Sequence, residues 1–274
     1  MAENNNNQIQ HETTIFAEPI FHIGNFTITN ALLNTWLAVI ILVIFLIAAS
    51  KKIRKIPRGV QNVFEFILES ALNFADSITG SRKKSVKLLP ICLTLFLFIL
   101  VNNYLGLMPF VGSIGFVEST HGGSFFIPMF RGGTADLNTT LALALISFVA
   151  IHISGALTVG VWNYFNRFIN IKAFLEIPKK FSKNKNVALV NPIKSFVSII
   201  EIVGEAAKVA SLSLRLFGNI FAGEILLVSM MSIFAFFVPI PFMFLEIIVG
   251  LVQALVFSIL VLVFMSMATS AEEH

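Results

Sequence analysis

The chain has 274 residues, of which 56% are hydrophobic and only 12% charged, with a mean hydropathy of +0.86. Soluble domains carry roughly 25% charged residues, so the solvent that suits this composition is a bilayer. The net charge of +4 comes from basic residues that flank apolar runs without interleaved aromatics, which argues against a nucleic-acid surface, and the single cysteine, Cys92, inside an apolar run, excludes an intrachain disulfide or a Cys-based metal site.

In chain order, residues 1–30 read as a tail containing the low-complexity tract Asn4–Asn7, expected to be disordered, and the acidic residues Glu3, Glu12 and Glu18. Leu32–Ala49 is an apolar run of spanning length, placed at residues 31–50. No Lys or Arg precedes Lys51, so the run lacks the basic flank of a secretory signal and reads as a retained anchor. Lys51, Lys52, Arg54 and Lys55 follow it. Over residues 57–80 apolar side chains from Val60 to Ile78 recur at spacings of three and four, with Gln61, Glu65, Glu69 and Asp76 among them, the pattern of an amphipathic helix lying on a membrane face. Arg82, Lys83, Lys84 and Lys87 then suit anionic lipid headgroups.

Leu88–Val111 and Leu137–Val161 supply two further spans, assigned to a helical hairpin over residues 86–165, with a Gly-rich loop around Gly112–Thr134 between them. Asp136 is placed as the N-cap of the second, with a role at an outer channel mouth as the alternative. His152 lies at membrane depth, where the functional reading is a proton relay or a buried hydrogen bond, and a purely structural role is preferred. Residues 166–190 form a basic loop with Arg167, Lys172, Lys179, Lys180, Lys183 and Lys185, and Ile193–Val238 and Phe242–Ala268 complete five spans over 191–268. The positive-inside bias puts both basic loops in the cytoplasm, the N-terminus outside and the C-terminus inside. The expectation is an all-α membrane protein of one domain, and the absence of evident internal repeats weakens an inverted-repeat transporter.

Ionisable groups at membrane depth are costly and mark a pathway or a pairing. In the fourth segment Glu205, Lys208, Arg215 and Asn219 fall within about 40° of Glu201 on an ideal helix, making one polar stripe, while Glu224 lies about 140° away. Glu246 and Gln253, seven residues apart in the fifth segment, share a face that suits pairing with Glu224. Interhelical salt bridges or snorkelling ends would account for Glu201 and Glu205 as well as a pathway does. Arg215 sits far from either end; it never loses its proton, so it can block or pair but not relay. The carboxyls of Glu224 and Glu246 suit proton exchange. The five histidines are too dispersed for a metal cluster and no phosphate-binding Gly-rich motif occurs, so no metal, cofactor or nucleotide is expected.

The run Ser211-Leu-Ser-Leu-Arg-Leu-Phe-Gly-Asn219, continuing Ile-Phe-Ala-Gly-Glu224, closely resembles the signature of F-type ATP synthase subunit a. Asn103-Tyr-Leu-Gly-Leu-Met-Pro109, Ala135-Asp-Leu-Asn-Thr139, Asn191-Pro192, Gln253-Ala254 and the end from Ser266 agree in order, so the resemblance runs from about Trp36 onward. It implies a non-catalytic stator whose two long C-terminal helices, 191–268, form a channel hairpin against the ring of c subunits, with the b-subunit peripheral stalk and the remainder of the F1Fo complex as further partners and protons or Na+ as cargo. Arg215 would face the essential carboxylate of each passing c subunit and block leakage. Asn219, Glu224, Glu246 and Gln253 would line the outer half-channel, and Glu201 the cytoplasmic one, with Glu205, Asp136 and His152 accessory. Where the family's commonly described pattern pairs Glu with His across the last two helices, this chain has Glu at both Glu224 and Glu246, which implies coupled titration. A self-contained transporter or ion channel is the competing reading. The lack of an Arg-rich leader favours a bacterial plasma (inner) membrane, or an organelle inner or thylakoid membrane for an organelle-encoded chain.

Overall fold

The computed structural model describes residues 17–50, 59–120, 123–162, 164, 185–234 and 237–270. The expectations for Asn4–Asn7, for the cluster Lys51–Lys55 and for the basic residues from Arg167 to Lys183 lie outside the described residues. Among the described residues six α-helices carry the fold: α1 (Asn30–Ser50), α2 (Val60–Thr79), α3 (Arg82–Gly106), α4 (Leu137–Val159), α5 (Lys185–Ile233) and α6 (Pro239–Thr269). All except α2 are long and apolar enough to cross a bilayer, and with no closed sheet among the described residues the chain is an all-α integral membrane protein. Large apolar side chains line its outer surface, among them Ile44 on α1, Ile146 on α4 and Phe244 on α6.

The centre is the α3/α6 pair. Leu88, Leu89, Cys92, Leu95 and Ile99 of α3 bury themselves with Ala254, Phe257, Val261, Leu262 and Met265 of α6. In lipid the hydrophobic effect does not drive helices together, so close packing and interhelical hydrogen bonds must. Gly250 supplies both: Asn103 Nδ2 donates to the Gly250 carbonyl at 2.8 Å, and a Cβ there would lie 3.2 Å from that of Asn103. Asn103 Oδ1 in turn accepts from Thr134 Oγ1 at 2.6 Å, tying this seam to the loop before α4. Helix α2 ends at Gly80, whose φ of 68° is the left-handed conformation that closes a helix at low cost for Gly alone. Arg82 Nη1 then pairs with Asp76 at 2.8 Å, fixing the α2/α3 corner. The Ser85 hydroxyl and the Arg82 guanidinium beside it hold the Asp76 carboxyl below its usual range.

Two parts differ from expectation. The end of the N-terminal tail and the Gly-rich loop are not plain loops: β1 (Pro19–Ile23) pairs with β2 (Phe26–Thr29), and β3 (Gly115–Thr120) with β4 (Gly123–Pro128), as two separate antiparallel hairpins. The first turns through Gly24-Asn25 with Gly24 at φ 62°, which a Gly-X turn demands. Second, helix bounds differ: α5 begins at Lys185, inside the loop expected over 166–190, and α3 already includes Arg82 and ends at Gly106, five residues before Val111. Gly106 packs closely on Gly132, so that a Cβ added to Gly106 would lie 3.2 Å from the Gly132 Cα, and Pro109 just beyond lacks the N–H that a continuing helix needs.

Candidate functional site

Helix α5 runs the length of the molecule and presents different faces along its course. Its central turn buries Leu212, Ser213, Leu216 and Ile220, with Ser213 Oγ 3.3 Å from Thr140 Oγ1 of α4. The opposite face is exposed and carries the small or polar residues Ser211, Arg215, Gly218, Asn219 and Ala222, with Leu214 exposed beside them. Arg215 donates only to its own helix, Nη2 to Ser211 Oγ at 3.3 Å, and among the described residues no carboxylate lies within ion-pair distance of it. A Cβ on Gly218 would meet nothing within 4 Å. A guanidinium at membrane depth on an exposed face is a charge for which the described residues supply no countercharge.

Toward one end of α5, about 14 Å from Arg215 at a helical rise of 1.5 Å per residue, lies a cluster assembled from four parts of the chain. Arg131, in the segment between β4 and α4, reaches Glu224 of α5, with Nε 3.4 Å from both carboxylate oxygens and Nη2 3.5 Å from Oε2. Its guanidinium lies 5.7 Å from the centre of the Phe221 ring. Glu246 of α6 is buried with its carboxylate against the backbone of Gly223, where any Cβ would collide with it. Glu18, just before β1, adds a third acid: burial raises its carboxyl above the usual range, Arg131 opposes that, and Glu224 reinforces it. The sequence reading placed Glu224 and Glu246 near one another but left out Arg131, and treated Glu18 as tail.

Toward the other end, a cleft of about 230 Å3 is lined by Ile151, Tyr164, Glu201, Glu205, Lys208 and Phe264, among others. Glu205 pairs with Lys208 one turn on at 2.7 Å, and the Lys208 ammonium sits 5.0 Å from the Phe264 ring centre. His152 Nδ1 and the Tyr164 hydroxyl are 2.7 Å apart in a half-buried contact. The predicted stripe is therefore one face in angle but two environments: Glu201, Glu205 and Lys208 are half-buried against α4 and α6, whereas Arg215 and Asn219 are exposed. Gln253 is half-buried on α6, one turn beyond the Asn103–Gly250 contact. Asp136 is buried and caps α4 as expected, accepting from the Asn138 N–H at 3.3 Å and from Thr139 Oγ1 at 3.3 Å.

The pattern of the family described as ATP synthase A chain matches residues 32–266. The chain belongs to this family. Among its relatives, ATP synthase subunit a of Moorella thermoacetica is 32% identical over 247 residues, covering 90% of this chain and 94% of the relative. That of Citrifermentans bemidjiense is 34% identical with 86% and 85% covered, and that of Syntrophobacter fumaroxidans 33% with 92% and 87%. As an ATP synthase A chain the protein is a non-catalytic membrane component of the ATP synthase complex, serving ATP synthesis and ion transport. The match spans α1 to α6 and so takes in both polar clusters and Arg215, though not Glu18.

Proposed function

We propose that this chain is the stator subunit through which protons cross the membrane sector of an F-type ATP synthase, by two half-channels that end on a ring of c subunits, with the b-subunit stalk holding it still. The observation that carries this reading is the exposed Arg215, without an ion-pair partner among the described residues, set between two polar clusters toward opposite ends of α5. Glu224, Glu246, Gln253 and Asn219 form the path on the N-terminal side, and Glu201, with Glu205 and His152 nearby, the path on the cytoplasmic side. Between them about 28 Å of helix separates Glu205 from Glu224, so a proton cannot pass directly. It must ride on a carboxylate brought by a rotor helix against the small residues Ser211, Gly218 and Ala222.

Arg215 keeps its charge at every accessible pH, so it draws an ionised rotor carboxylate and repels a proton moving along α5. The carboxylate is thus released to one path only after receiving its proton from the other. The orientation follows from the basic flanks, with the N-terminus outside a bacterial plasma membrane and the C-terminus in the cytoplasm. Proton flux into vesicles tests the division of labour: vesicles holding this chain with its c ring should conduct, and those holding the chain alone should not. Conduction by the chain alone would instead favour a self-contained channel.

A further inference from the structure

We propose that Arg131 is the positioning residue of the outer proton path: its guanidinium holds the Glu224 carboxylate beside Glu246 and, shared with Glu18, sets the outer pH range over which the path takes up protons. This rests on the reading of Glu224 as a proton-path group.

Three features separate this role from that of a plain structural ion pair. The contacts of 3.4 to 3.5 Å are longer than the roughly 2.8 Å of a locked charge-assisted pair. Both carboxylate oxygens are approached, so Glu224 is steered without being capped at one atom. The burial is also unequal. The Arg131 side chain is 5% exposed and that of Glu224 30%, so the cation sits behind the carboxylate and leaves it an open side for proton exchange.

Glu18 is tied into the same place by its backbone. Its N–H donates to Asn30 Oδ1 at 3.2 Å, its carbonyl accepts from the Asn30 N–H at 3.1 Å, and Asn30 Nδ2 donates to the Pro128 carbonyl at 3.3 Å, three residues before Arg131. Glu18 Oε2 is buried without a hydrogen-bond partner among the described residues. The charged groups facing one another are thus Glu18 from the N-terminal segment, Arg131 from the connection after β4, Glu224 from α5 and Glu246 from α6. Asp136, the next acid along the connection, is engaged by Asn138 and Thr139. Glu224 and Glu18 share one fixed cation and Glu246 lies against the neighbouring Gly223, so the number of protons the acids hold between them depends on that cation.

The test is proton-driven ATP synthesis by the whole complex in proteoliposomes, followed as the pH on the side opposite the soluble head is varied at constant membrane potential. A carboxyl deprived of a neighbouring cation keeps its proton to higher pH, and one deprived of a neighbouring anion releases it at lower pH. Arg131→Gln should therefore move the midpoint alkaline by about one unit, Arg131→Lys should return most of that shift, and Glu18→Gln should move it the opposite way. A rate that falls in Arg131→Gln with its midpoint unchanged would overturn the inference. Should Arg131→Gln fail to assemble, Glu18→Gln decides alone: an acid displacement supports the inference and an unmoved midpoint overturns it. Glu224→Gln is the separating control. If it abolishes synthesis while the other variants keep the wild-type midpoint, the path stands and only the role of Arg131 is wrong; undiminished synthesis in Glu224→Gln would remove the path itself.

Discussion

Gly223 is the smallest residue on which the Arg131–Glu224–Glu246 cluster depends, because the Glu246 carboxylate occupies the space where any side chain would begin. Gly223→Val should displace Glu246 and reduce proton-driven synthesis strongly while the complex still assembles, which blue-native gels and a synthesis assay would check. Glu224→Gln keeps the shape but removes an exchangeable proton, and a loss of about 10²-fold is expected, the scale of a positioned acid–base group. Glu224 and Glu246 are neighbouring acids, so Glu246→Gln should alter the shape of the rate profile against pH as well as its height. Identical profiles would count against coupled titration. At this scale the sequence revealed Glu224, Glu246 and Arg215, since a charge inside an apolar run stands out, but not the part of Glu18. It did not reveal Arg131, which lies in a Gly-rich loop where a single Arg looks like any surface charge until the chain brings that loop back over α5.

At the scale of elements, the α3/α6 seam rests on Asn103, which bonds the Gly250 carbonyl and accepts from Thr134. Interhelical hydrogen bonds in bilayers average well under 1 kcal/mol because partly unfolded helices find other partners. Asn103→Leu should thus cost only about 1 kcal/mol in stability, yet loosen the loop that carries Arg131, seen as faster amide exchange around Gly132. The α2/α3 corner has its own pH dependence. Its Asp76 carboxyl is lowered, so the stabilisation it gives is present above the ordinary carboxylate range and is lost as pH falls through the lowered value. Asp76→Asn should remove the acid-induced increase in α2 amide exchange. The long helices were legible from apolar runs and α2 from its period, whereas the hairpins were not. Phe-His-Ile-Gly-Asn-Phe-Thr-Ile-Thr carries a Gly-X turn between β-forming residues, a signal outweighed by the strong helical context on its C-terminal side.

For the whole molecule, the arrangement of charge favours the proposed rotor partner. A self-sufficient carrier would cancel its central cation internally, as Lys208 is cancelled by Glu205; Arg215 is instead left on an exposed face of small side chains, midway between two polar clusters. Helical angles in the sequence separated Glu224 from the Arg215 stripe, but they could not separate Glu201 and Glu205 from Arg215. That second division comes from where α4 and α6 pack on α5, which no local period encodes. The measurement that bears most directly on this account is acid-pulse-driven ATP synthesis in proteoliposomes holding the purified complex, wild type against Arg215→Ala. Loss of synthesis with the complex intact and its soluble head still hydrolysing ATP is the predicted result. Undiminished synthesis would contradict the account, because the exposed cation between the two clusters would then have no part in coupling.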